Sequence, residues 1–252
     1  MSKSLYSHGM DEPPREPEDH AHVLRLLFDR RRAIRDFTAA PVPLTVLRSI
    51  VADATLAPSS MGLQPYVMHL VVAPALRAMV AASCNGQRAA RSAAALIVVE
   101  VGPAVSERRI AEGLDHYRTA DLPSRSRDYH LTGLNKVTLA HRWWLRPLLG
   151  LGGALISWWR PARSLLPLGA QGLRHWGARN AMLAVEDVML AAAARGLDTC
   201  PMEGFDGPAV ARHLGLPRSS AIAVVIAIGH QAEDARVEPR FRRPLEQVVV
   251  EH

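Results

Sequence analysis

Cysteine is almost absent from this 252-residue chain: Cys84 and Cys200 are its only two, far apart and outside any CxxC. That excludes a disulfide framework and a zinc ribbon, and it fits a reducing, cytoplasmic setting. Aromatic residues make up only 5% of the sequence. No RRM-like aromatic signature, zinc-finger spacing or heptad with a basic region accompanies the net charge of +6, so nucleic acid is not an expected partner. No HExxH or other ligand spacing joins the histidines, and no metal is expected. Gly150, Gly152 and Gly153 lack full GxGxxG spacing and a preceding strand. Long apolar runs are missing as well. Leu148–Trp159 falls short of the about 20 residues that span a bilayer, and Arg146, Pro147, Arg160 and Pro161 interrupt it on both sides. Residues 1–20 mix acids, bases and prolines, which reads as a mobile arm rather than a signal peptide or span.

What is present is a 48% hydrophobic chain with arginine far in excess of lysine, long enough for one good core. The expected division is the arm followed by a single domain over 21–252. From Pro43, the residues Leu47, Ile50, Val51 and Ala54 recur at helical spacing until Pro58-Ser59-Ser60 breaks it. Val67–Ala73, Ala95–Val101 and Ala221–Gly229 read as buried strands, and Gln247–Val250 as a possible short terminal one. Asn180–Arg195 is a deeply apolar helix with Gly196 as its C-cap. All five tryptophans fall in a stretch of different character at about 103–176: Trp143, Trp144, Trp158, Trp159 and Trp176. A helical cover or a lid over a pocket is the first reading of this stretch. The second is an interfacial membrane segment, with indoles at headgroup depth and guanidinium groups on lipid phosphate.

Two short stretches carry the chemistry. Arg30–Phe37 (RRRAIRDF) puts four arginines together ahead of a helical pattern, where guanidinium forks can hold a phosphate dianion. Cys200–Asp206 (CPMEGFD) reads as a tight loop after a buried helix, with backbone N–H groups able to meet a planar heterocycle. Taken singly, each also has an ordinary reading, as a solvated basic face and a plain turn. Cys200 is more simply a small buried hydrophobe than a nucleophile.

Arg31–Phe37, Ala57–Tyr66 (APSSMGLQPY), Leu190–Asp206 and Arg240–Val248 (RFRRPLEQV) stand in the order of motifs in the nitroreductase family of FMN-dependent oxidoreductases, which the chain resembles over about 29–101 and 176–250. The resemblance implies an α+β fold, a sandwich with a central, mainly antiparallel sheet flanked by helices, working as an intertwined homodimer with FMN at the subunit interface. It implies that Arg31, Arg32, Ala33 and Arg35 hold the FMN phosphate and ribityl chain, with Arg240 and Arg242 closing on the phosphate. Charged hydrogen bonds of this kind are worth about 1.5–3 kcal/mol each. Asn85 and Arg88 match positions at the pyrimidine edge, Pro58, Ser59, Ser60 and Gly62 a motif offered by the partner subunit, and Pro201, Met202, Glu203 and Gly204 the flank of the ring. A backbone N–H at Glu203 or Gly204 would donate to flavin N5. The implied activity is hydride transfer from NAD(P)H to an electron-poor acceptor such as a nitroaromatic or quinone, in ping-pong order. The alternatives are dehalogenation or flavin fragmentation on the same fold, or a flavin-binding peripheral membrane or partner-binding protein with little turnover. The chain departs from the family pattern at three places: Ala33 replaces a serine, Met61-Gly62 replaces an asparagine, and Tyr66 replaces a tryptophan.

Overall fold

The computed structural model describes residues 17–140 and 169–252, together with Leu148, Leu151, Gly152, Leu155, Trp158 and Trp159. Trp143 and Trp144 lie outside the described residues, as does the expected arm up to residue 16. The arm's last residues are helical, because α1 runs Pro17–Arg30.

Four strands form one antiparallel sheet in the order β1-β2-β4-β3, with β1 Tyr66–Val71, β2 Ala95–Val101, β3 Asp198–Met202 and β4 Ala221–Gly229. The register pairs Tyr66 with Val101, Ala95 with Ile228, and Asp198 with Gly229. β2 is buried at every position, as a central strand with both faces covered must be. Its one carboxylate, Glu100, is only 6% exposed, and burial of such a charge requires partners. It finds them in His69 Nε2 at 3.0 Å and the Ser220 hydroxyl, beside a register shift between Val99 and Glu100.

One face of the sheet is covered by α2 (Leu44–Ala54) and α7 (Gly169–Ala194). The α2 residues Leu47, Ile50 and Ala54 pack there as their spacing dictates. At 26 residues, α7 is about 39 Å long. It begins well before the apolar pattern that starts at Asn180. Alanines at 181, 184 and 192 bring its backbone close to the sheet, and Gly177 brings it closer still: a Cβ there would lie 3.0 Å from both the Pro65 carbonyl oxygen and Val101 Cβ. Gly196, at φ +73°, ends the helix as expected. The opposite face carries α3 (Pro74–Ala82), α4 (Arg88–Ser92) and α8 (Gly207–His213).

Helices α5 (Pro103–Thr119) and α6 (Ser124–Ala140) form a pair with its own small core of Leu63, Ile110, Leu114, Leu134, Leu173 and Trp176. The pair is seated on the turn around Leu63, and most of residues 141–168 of the 103–176 stretch lie outside the described residues. The C-terminal segment does not become a strand. A 3₁₀ turn occupies Leu245–Gln247, and every residue from 236 to 252 is exposed.

Candidate active site

Residues 31–37 run extended along the outer edge of the sheet. Ala33 bridges Thr199 in parallel fashion, Ile34 N–H donates to Thr199 O at 3.0 Å, and Phe37 bridges Gln231. Ile34 (1% exposed) and Phe37 (6%) are the anchors. Because they point into the core, Arg31, Arg32 and Arg35 line a cavity of about 300 Å³, closed from the other side by residues 237–242 with Arg240 and Arg242. The five arginines expected to act together are therefore gathered in one chain. Their present contacts differ. Arg32 donates to the Glu238 carbonyl, and Arg31 Nε stands 3.3 Å from Glu186 Oε1, out of line for a hydrogen bond. Arg240 is the most committed, donating to the carbonyls of Phe28 (2.8 Å), Asp29 (3.1 Å) and Arg31 (2.8 Å) while pairing with the Asp29 carboxylate at 3.5 Å. It clasps the C-terminal segment to the end of α1, where carbonyls lack helical partners.

The second motif is not simply a loop after a helix. Cys200, Pro201 and Met202 belong to edge strand β3, and only Glu203 onward turns away. That turn is pinned by the loop ahead of α4. Gln87 Nε2 donates to Gly204 O at 2.7 Å, and Asp206 N–H donates to Ser83 O at 2.8 Å. Asn85, held at φ +50°, places its amide 3.8 Å from where a Gly204 Cβ would stand. The Gly204 N–H has no acceptor among the described residues. Asp206 then caps α8 by accepting from Ala209 N–H at 3.0 Å. Arg88 reaches back to Asp36 at 2.7 Å, so the 85–88 loop touches both motifs. Burial pushes the Cys200 thiol up against a smaller opposing pull from the Arg35 charge, and burial alone pushes Cys84 to about 11. Neither is poised as a nucleophile.

Pro58–Gly62 lies elsewhere. It leads into β1, the edge strand opposite β3, three strand spacings or about 14 Å across the sheet. The local backbone is unusual: Met61 (φ +53°) and Gln64 (φ +46°) are left-handed non-glycine residues on either side of the turn. Side chains from three elements hold the turn. Ser59 Oγ accepts from Gln64 N–H at 3.0 Å, Gln64 Nε2 donates to Thr55 O, Tyr117 OH donates to Met61 O at 3.0 Å, and Asn180 Oδ1 accepts from Ser60 N–H at 2.7 Å. A second cavity, about 260 Å³, opens between this turn and α5, lined by Arg109, Glu112, His116 and Tyr117. A stack of Tyr117 on His130, at 4.1 Å and nearly parallel, backs it from α6.

Sequence reasoning passed over several of these residues. Asn180 looked like the start of an apolar helix, yet it is 6% exposed and joins Ser60 to the Trp176 carbonyl (2.8 Å). A buried amide at the head of such a helix was the available signal. Tyr66 is buried at the base of the turn, and Asp187 is half-buried beside it. Burial pushes both groups up, and the Asp187 charge raises the Tyr66 phenol further. No sequence spacing marks the Glu100–His69 pair, since only the β1–β2 register brings it together.

The nitroreductase family profile matches residues 29–230. The chain is 29% identical over 223 residues to an NADH dehydrogenase of Thermus thermophilus, spanning 88% of this chain and 92% of that one. A protein of Exiguobacterium sibiricum, solved in complex with FMN, superposes with a TM-score of 0.70 at 20% identity over 90% of this chain and 96% of that chain. An NADPH:FMN oxidoreductase of Vibrio harveyi, solved with NAD⁺, gives 0.59 at 21% identity, over 91% and 76%.

Proposed function

The chain belongs to the nitroreductase family, and from that membership we propose that it is an FMN-dependent oxidoreductase taking hydride from NAD(P)H and passing it to an electron-poor acceptor such as a nitroaromatic or quinone in ping-pong order. The observation that carries this reading is the gathering of Arg31, Arg32, Arg35 and Arg242 around one cavity, on the same edge of the sheet as a Gly204 N–H with no acceptor among the described residues.

These residues fit FMN. The donor set around the cavity is cationic, as a phosphate dianion requires. Along β3, Thr199 and Met202 are about 10 Å apart and Gly204 lies beyond the strand end, so the arginines and the free N–H would serve opposite ends of an elongated ligand. FMN, when bound, supplies the acceptance and release of hydride. The chain's own residues do the rest. Arg31, Arg32, Arg35 and Arg242 bind the phosphate, Ala33 lies along the ribityl chain, and Arg240 holds the C-terminal segment so that Arg242 stays in place. Asn85 and Arg88 take the pyrimidine edge. Pro201 and Glu203 would flank the ring, Met202 by its backbone alone because its side chain is 3% exposed in the core, and the Gly204 N–H would offer N5 a fixed dipole that stabilises charge without titrating.

Pro58, Ser59, Ser60 and Gly62 cannot join that edge from within one chain, being on the far side of the sheet. We assign them to the site of a second copy, in an intertwined homodimer. Support comes from apolar surface left uncovered in the single chain: Leu24, Leu26 and Phe28 on α1, and Phe241 (75% exposed), Leu245, Val248 and Val250 in the tail. Such surface rarely stays in water. The α5–α6 pair beside the turn would then shape the acceptor pocket. We propose that the enzyme works in the cytoplasm, on the strength of its sparse cysteines. No helix among the described residues is long and apolar enough to cross a membrane. Anaerobic titration of the FMN-loaded protein with NADH and NADPH, followed by a nitroaromatic or quinone, tests the reading. Bleaching and recovery of the flavin band support it, and a flavin that neither nicotinamide reduces contradicts it.

A further inference from the structure

We propose that a cavity between α7, α8 and the start of β4 is a second ligand site, built for a small organic anion: a carboxylate or phosphate group on an apolar body. The cavity holds about 580 Å³, within the range of about 300–1,000 Å³ that small-molecule sites occupy. It shares no wall residue with the arginine cavity of the flavin site or with the one beside α5. Every residue of its wall is among the described ones.

Three arginines line this cavity, Arg174 from α7, Arg212 from the last turn of α8 and Arg218 from the loop before β4, and no Asp or Glu does. The side chains of Arg212 and Arg218 make no hydrogen bond or ion pair among the described residues. By contrast Arg88, Arg195 and Arg236, also at the surface, each reach a carboxylate within 2.8 Å. Arg174 is held by one long bond, from Nη2 to the Ser219 carbonyl at 3.5 Å, and its Nε is buried without an acceptor among the described residues. Ser220, also on the wall, gives its hydroxyl to Glu100, which is 6% exposed and paired with His69, so that carboxylate already has its partners. The uncommitted guanidinium groups suit an oxyanion, since their planar forks bind carboxylate and phosphate by paired, charged hydrogen bonds.

Most of the remaining wall is apolar. Pro208 and Ala211 come from α8, Leu216 and Pro217 from the loop that follows, and Ala221 and Ile222 from the first residues of β4. The wall is also firm. Both prolines fix the backbone at their positions, and Ala221 and Ile222 are paired in the sheet with Val101 and Glu100. The Ser219–Ser220 backbone is pressed against Gly102, where a Cβ would stand 2.9 Å from the Ser219 carbonyl oxygen. A preformed recess of this kind loses little freedom when a ligand enters. An inorganic anion would use the arginines alone and leave the apolar wall in water, and a neutral apolar ligand would leave the arginines unused. A ligand that uses both has an acidic group joined to an apolar body.

The test is isothermal titration calorimetry of the full-length protein, with and without excess FMN, using 1-naphthyl phosphate, 1-naphthoate and inorganic phosphate as probes. At least one naphthyl anion is expected to bind at one site per chain, with the same affinity in both conditions. Inorganic phosphate should bind at least about tenfold more weakly, because it buries no apolar surface. The tighter of the two naphthyl anions tells a phosphate ester from a carboxylic acid as the natural class. An Arg212→Gln/Arg218→Gln variant, with unchanged circular dichroism and FMN affinity, should bind that probe at least about tenfold less well through the loss of charged hydrogen bonds. Failure of both naphthyl anions to bind overturns the proposal. So does binding that excess FMN abolishes, which would place the probe in the flavin cavity, and so does full binding by the arginine variant. Inorganic phosphate binding as tightly as the naphthyl anions overturns it as well, since the apolar wall would then contribute nothing. No readout requires flavin to be bound or reduced, so failure here and failure of the oxidoreductase reading are distinguishable.

Discussion

Replacing Asn180 by alanine should loosen the Pro58–Gly62 turn from the inside. Asn180 hydrogen-bonds this turn from α7, accepting from Ser60 N–H at 2.7 Å while donating to the Trp176 carbonyl at 2.8 Å. Removal leaves both groups without it, and a small hole at a position only 6% exposed. A buried donor stripped of its partner costs about 1–3 kcal/mol. Ser60 itself is exposed, so water can recover part of that, and about 1–2 kcal/mol remains. In a chain of this size each kcal/mol moves Tm by about 2–4 °C, so the expected fall is about 4 °C. If the turn reaches the flavin of a second copy, as proposed, the same loss of order weakens FMN binding about tenfold, since about 1.4 kcal/mol is a factor of ten. Differential scanning fluorimetry of the apoprotein and fluorescence titration with FMN read the two effects separately. A variant whose Tm stays within about 1 °C and whose FMN affinity is unchanged would refute this account of Asn180.

Other expectations follow from the same contacts. Arg31→Ala with Arg242→Ala should weaken FMN binding at least about 100-fold, as two charged hydrogen bonds are lost, while circular dichroism of the apoprotein stays native; unchanged flavin retention would remove these residues from the phosphate site. Burial raises the folded pKa of Asp187, so the native state binds its proton more tightly, and the stability this group contributes in acid is lost as pH rises through that folded pKa. Asp187→Asn should therefore raise Tm at about pH 7 relative to the parent and show little advantage at about pH 4; an equal shift at both would contradict the burial cause. With Cys84 pushed to about 11 and Cys200 raised, neither thiol should react with a disulfide reagent near neutral pH until the protein is unfolded. Rapid labelling of the native protein would show that one of them is accessible. Gly177→Ala, which sets a methyl against the Pro65 carbonyl and Val101, should lower Tm by several degrees, and a neutral result would mean that α7 shifts freely on the sheet.

The elements legible in the sequence were those whose pattern and punctuation agree. α2 has helical apolar spacing ended by Pro58, and β2 and β4 are unbroken apolar runs rich in β-branched residues, so each is where its residues put it. α1 was hidden because Val23, Leu24, Leu26 and Phe28 face outward and charged residues stand at both of its ends. The first eleven residues of α7 were hidden by their glycines and polar residues, which are helical because Leu173 and Trp176 are buried under the α5–α6 pair. Cys200–Met202 contains a proline yet forms a strand, which an edge position permits. Gln247–Val250 has strand-forming residues and no neighbour to pair with among the described residues, so it stays irregular. At the candidate site the arginine cluster could be read directly, because Arg31, Arg32 and Arg35 lie within five residues of one another. The clasp formed by Arg240 could not, because it depends on the free carbonyls at the end of α1. Nor could the separation of the serine motif from the arginines, which follows only from the strand order.

Everything proposed for this site requires that the chain bind FMN and that a nicotinamide reduce it. The visible absorption spectrum of the purified protein, recorded before and after anaerobic addition of NADH or NADPH, tests it most directly. A flavin spectrum is expected, present on purification or after loading with FMN, that bleaches with at least one nicotinamide. A protein that stays colourless after FMN is added, or a bound flavin that neither nicotinamide bleaches, would contradict it.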